Sequence, residues 1–73
     1  MRRVGTVVRT KGGLAVARSP DEGHPDIGST VLDEGLEAVG RVVDVIGPVG
    51  RPYVVVTPDG PPAALLDAKL YVR

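Results

Sequence analysis

His24 is the only histidine of the chain and stands in Glu22-Gly23-His24-Pro25, with Asp21 and Asp26 close in sequence. An imidazole beside carboxylates could serve as a general base or a metal ligand. With no second imidazole and no cysteine to supply a thiolate, such a site has weak transition-metal chemistry, and a loop histidine of no special role is the expectation. Ser19 and Ser29 flank the same loop without a nucleophile–base signature, and turn chemistry accounts for both. Lys11-Gly12-Gly13 lacks the Gly-x-x-x-x-Gly-Lys spacing of a phosphate cradle, and no helix follows it. Asp44 lies in a valine-rich run with Arg41 and Arg51 nearby, which suits a structural ion pair or a partner-facing charge better than catalysis. No catalytic residue, metal site or cofactor is expected, and the chain reads as a non-enzyme.

The elements that would position these residues are short strands. Val4, Thr6 and Val8 alternate at period two within residues 3–10, and residues 14–18 form a second apolar run. Between them Thr10-Lys11-Gly12-Gly13 signals a hairpin, because paired glycines supply the positive φ of tight turns. Residues 19–29 hold Pro20, Gly23, Pro25 and Gly28 among acids and read as an exposed loop. A short strand resumes at 30–33, with Glu34-Gly35 as a turn. Residues 38–46 form the longest strand candidate, and 53–57 pairs with it. Pro58-Asp59-Gly60-Pro61-Pro62 breaks the sheet. Residues 63–68 suit either one helical turn or a bent extended segment, and 69–72 is a last strand. Six short strands with regular turn signals predict an all-β fold in one domain spanning 1–73. A closed barrel is favoured over a sandwich, because closure removes edges that so small a sheet could not protect.

At 73 residues the chain buries only roughly 60% of its unfolded surface. Without cysteine no disulfide can compensate. No run approaches the ~20 apolar residues of a membrane span. No apolar signal segment follows the basic start, so a soluble, cytoplasmic protein with no membrane contact is expected. Nine basic residues balance nine acidic ones, so net charge exerts no general pull on nucleic acid. The distribution is uneven: Arg2, Arg3, Arg9, Lys11 and Arg18 precede the first acid. Seven acids then follow from Asp21 to Asp44, with Arg41 as the only base among them. Tyr53 and Tyr71 are the only aromatic residues, too few for a base-stacking platform. Contact with a nucleic-acid backbone through Arg2, Arg3, Arg9 and Lys11 is only weakly indicated.

The run from Gly40 to Val56 carries the most information. It reads as two β-branched strands around the loop Gly47-Pro48-Val49-Gly50-Arg51-Pro52. The prolines fix φ there, so the loop holds its shape before a partner arrives and loses little entropy on binding. Strict alternation places Val39, Arg41, Val43 and Val45 on one face and Gly40, Val42, Asp44 and Ile46 on the other. Tyr53 and Val55 likewise oppose Val54 and Val56. Both faces are largely apolar, yet a small barrel has one interior. The surplus is expected to meet another protein.

The chain resembles the glycine-arginine-rich (GAR) protein subunit of the H/ACA ribonucleoprotein in its short archaeal form. The resemblance rests on Arg3-Val4-Gly5-Thr6-Val7, on Gly40-Arg41-Val42-Val43-Asp44-Val45-Ile46-Gly47-Pro48-Val49 with Pro52-Tyr53-Val54, and on Lys69-Leu70-Tyr71-Val72. The central stretch is its specific part. The resemblance implies a six-stranded closed β-barrel of the elongation-factor and reductase type, without an active site. It implies docking on a dyskerin-type pseudouridine synthase, which a guide RNA directs to uridines of ribosomal RNA. The subunit's role would be to assist substrate loading and product release by steering a mobile loop of the synthase. Carried onto this chain, Gly47, Pro48, Val49, Pro52 and Tyr53 become the docking loop, and Val43, Val45 and Val54 its apolar surround. The H/ACA guide RNA would be met only indirectly, through the complex, and the isolated barrel would at most self-associate weakly.

Two positions depart from the family pattern. Ile46 stands where many members carry an aromatic residue, so an aromatic anchor is not carried over. Asp67 stands before the last strand where glycine is frequent, and aspartate tolerates a left-handed backbone better than most residues. The arginine-glycine tails of eukaryotic forms are absent. A rival reading is a free-standing barrel that binds ribosomal RNA during ribosome maturation.

Overall fold

The computed structural model describes residues 2–20 and 23–73. Six strands form, β1 (Arg2–Lys11), β2 (Leu14–Arg18), β3 (Thr30–Leu32), β4 (Ala38–Ile46), β5 (Tyr53–Pro58) and β6 (Lys69–Val72). They close into an antiparallel barrel in the order β1-β2-β5-β4-β3-β6. The strands are the valine-rich runs, and each interruption falls where glycine or proline denies the backbone a ladder position. The β3–β6 seam is the thinnest, joined by the single pair Leu32 and Tyr71. Among the described residues, no helix is long and apolar enough to cross a membrane.

The interior is filled by Val4, Val7, Ala15, Ala17, Val31, Val42, Val54, Val56, Leu70 and Val72. Alanines on β2 face valines on β5, so small residues let the wall curve where larger ones fill the space. The segment between β5 and β6 resolves as a 3₁₀ turn at Pro62–Leu65. Asp67 follows with φ of 68°, the left-handed conformation its side chain tolerates. The Asp67 and Ala68 backbone groups then bond to Val7 of β1 at 3.0 and 2.9 Å.

Strict alternation fails in two strands, and bulges are the reason. In β1 the pairing jumps from Arg3–Tyr71 to Gly5–Leu70, inverting the phase beyond Val4, and again from Val7–Ala17 to Arg9–Val16. Val7 is therefore fully buried, while Val8, expected on the face of Val4, is about half exposed. In β4 it jumps from Val42–Val56 to Asp44–Val55, leaving Val43 as the extra residue. The three residues after Val43 exchange faces relative to the pattern: Asp44 and Ile46 turn outward, and Val45 packs against the core. An extra residue always inverts the phase beyond it. Most of the described residues between 19 and 29 are exposed, as expected, but some are tied to the barrel. Pro25 is buried, and Gly28 N–H and Ser29 C=O bond to Val42 of β4 at 2.7 and 2.9 Å.

The turn between β3 and β4 is organised by Asp33, whose Oδ1 accepts the N–H groups of Gly35 and Glu37 at 2.8 and 3.1 Å. Its cost falls on Leu36, held at φ of 66° with its side chain half exposed. A non-glycine residue in this region is strained by about 1 kcal/mol. Replacing Leu36 by glycine is expected to raise stability by about 0.5–1 kcal/mol, read as a higher urea midpoint at unchanged slope.

Candidate functional site

The loop between β4 and β5 is fixed at both feet. Gly47 has φ of 88°, and a Cβ there would lie 2.8 Å from Cδ2 of Tyr53. Only glycine permits both the turn and the close approach of the ring. At the other foot Pro52 is buried, and its carbonyl accepts the Ser19 N–H at 2.9 Å. Ser19 is itself fully buried and donates from Oγ to the Gly23 carbonyl at 2.9 Å. The loop is thereby tied to the end of β2 and, through it, to the segment that carries His24.

Tyr53 is half buried. The guanidinium of Arg18, its register partner on β2, lies 5.6 Å from the ring centroid, and that of Arg9 lies 5.9 Å away. Both distances fall within the reach of a cation–π attraction. The arginine stems and the ring also shield outward-facing valines. Val16 and Val55 stand outside the core cluster, yet they are only 6% and 8% exposed. Part of the apolar surplus expected to meet a partner is thus covered by the chain's own side chains.

The remaining surplus gathers around the loop. Val49 is 86% exposed and Ile46 42%, with Val43 similarly exposed on its bulge. Val45, Ile46, Gly47, Pro48, Val49, Pro52 and His24 line a cleft of about 190 Å³. Of the residues assigned to docking, Val43, Pro48 and Val49 present surface, Val45 lines the cleft from the core side, and Pro52 and Tyr53 shape the loop. Val54 requires correction. It is fully buried in the barrel interior, because β5 alternates without a bulge and Tyr53 takes the outward position.

His24 comes to the loop's side, which sequence spacing did not suggest. Its Nδ1–H donates to the Pro25 carbonyl at 3.0 Å, and its own carbonyl accepts from Arg2 at 3.0 Å. Asp44 directs Oδ1 to the Val45 N–H at 2.8 Å, satisfying a donor beside the bulge. Among the described residues no cluster of three or more His, Asp or Glu could hold a metal ion. The arrangement can offer shape, apolar surface and fixed cations. Compared with known proteins, the chain matches no family model and no curated protein.

Proposed function

We propose that this chain is a non-catalytic subunit of an H/ACA-type guide-RNA ribonucleoprotein, docking on the pseudouridine synthase through the β4–β5 loop. The reading starts from the resemblance of the Gly40–Val56 run, and one observation carries it further. Val49, an apolar residue, is 86% exposed at the tip of a loop anchored at both feet. Exposing a valine on a rigid support wastes burial in an isolated chain, whereas in a complex it provides a preorganised contact. The barrel would act by holding the synthase's mobile loop, assisting substrate loading and product release.

The test is co-expression with a dyskerin-type synthase from the same source, followed by affinity capture of the synthase. Stoichiometric co-purification through a high-salt wash is the expected result, since apolar contact resists salt. Loss of the chain in the wash, with both proteins folded, would remove the docking reading.

A further inference from the structure

The end of the barrel opposite the β4–β5 loop carries a second apolar cleft, of about 300 Å³. Ala38 and Val39 of β4, Pro58 of β5, and Ala64 and Leu65 of the 3₁₀ turn line it. β4 starts at this cleft and ends at the loop, so the two sites lie roughly 25 Å apart along the strand. The walls are held before anything enters. Asp59 N–H donates to the Val39 carbonyl at 2.9 Å, and Ala64 N–H to the Pro61 carbonyl at 3.1 Å. Pro58, Pro61 and Pro62 have fixed φ. Charge around the cleft is one-sided. Asp59 lines it, Glu34 and Glu37 are exposed in the adjoining β3–β4 turn, and exposed Asp67 follows the 3₁₀ turn. Among the described residues no lysine or arginine pairs with any of these four carboxylates. Lys11 and Lys69 stand on β1 and β6, not on the strands that line the cleft. Arg41 of β4 lies between its register partners Thr30 and Thr57.

We propose that this cleft docks a lysine- or arginine-rich protein segment by one apolar side chain. The lining supplies apolar contact, and Leu36 in the adjoining turn and Leu66 after the 3₁₀ turn are each about half exposed. A cleft of this size admits a leucine-sized group, so the charges around it decide which segment brings that group in. Carboxylates without partners attract cations that flank the apolar residue, and they repel nucleic acid and acidic segments. The fixed walls keep low the entropy lost on docking. This site is independent of the loop at the other end. A barrel held to a synthase by that loop keeps the cleft free for a basic tail of another protein.

The probe is a pentapeptide with one leucine between two pairs of lysines, titrated into the full chain at low ionic strength and followed by amide chemical shifts. Shifts are expected at Val39, Gly60 and Ala64 and not at Gly47 or Tyr53. Serine in place of the leucine should weaken binding about tenfold or more, and glutamate in place of the lysines should abolish it. Glu37→Gln with Asp59→Asn is expected to weaken binding about fivefold. A control of equal charge change, Asp26→Asn with Asp44→Asn, should stay within about twofold of the parent. Asp26 lines a separate cleft beside β3, and Asp44 stands at the far end of β4. Thermal melts establish that both pairs fold, and if the first does not, Ala64→Arg replaces it by filling the exposed side of the cleft. Equal binding of the leucine and serine peptides, equal losses in the two pairs, or no binding at all would overturn the proposal. So would self-association that Val49→Asp abolishes and that removes the peptide's shifts, which would assign the cleft to the loop of a second copy.

Discussion

Gly5→Ala is expected to lower stability by about 3 kcal/mol or more, a large part of the roughly 4–11 kcal/mol available to a domain of this length. Two independent costs combine there. Gly5 has φ of 151°, a conformation side chains rarely adopt, and its Cβ would run into the carbonyl oxygen of Arg18. That obstacle is backbone, so it cannot rotate away. The end of β2 would have to shift, and the next residue, Ser19, bonds through its N–H to the Pro52 carbonyl. The disturbance therefore reaches the foot of the candidate docking loop. A thermal melt should show a fall of roughly 12–24 °C. Val8→Thr, on the same strand but half exposed, should change stability by less than about 0.5 kcal/mol. Equal behaviour of the two variants would mean that β1 and β2 do not press together as described.

The second large effect concerns binding. Ile46→Asp with Val49→Asp is expected to weaken affinity for the synthase about a hundredfold or more, because two apolar contacts become carboxylates that docking would have to desolvate. Both residues line the loop's cleft and neither belongs to the core cluster, so the melting temperature should be nearly unchanged. Calorimetric titration against the purified synthase reads the effect directly. An affinity within tenfold of the parent would place the contact elsewhere on the barrel. Because Tyr53 and Pro52 shape the loop from beneath, replacing them would confound folding with binding. The two exposed positions avoid that.

The number of strands and their positions along the chain were legible because valine-rich runs are bounded by glycine and proline, and those are local chemical facts. The facing of residues was not fully legible. Val43 and Val8 look like their neighbours, and the bulges that displace them arise from fitting one strand to another around a closed wall. The resemblance carries Val54 into the docking surround, whereas period two along β5 sends it inward. The loop from Gly47 to Tyr53 was legible from its own residues. The arginines that flank Tyr53 were not, since β2 and β5 are adjacent in the barrel but separated by two strands in the chain. Only the long-range β2–β5 pairing brings Arg18 beside Tyr53, and no local spacing signals it.

The position of β6 has a consequence for how the chain is made. It lies between β1 and β3 and brings Leu70, one of the largest fully buried side chains, into the interior. It is also the sixth strand in chain order. As the polypeptide leaves the ribosome, strands one to five can pair only as an open ribbon with two bare edges. The wall cannot become continuous until Lys69–Val72 has cleared the exit tunnel. Closure of this barrel thus waits on β6, and the edges of β1 and β3 stay unprotected until that strand has emerged.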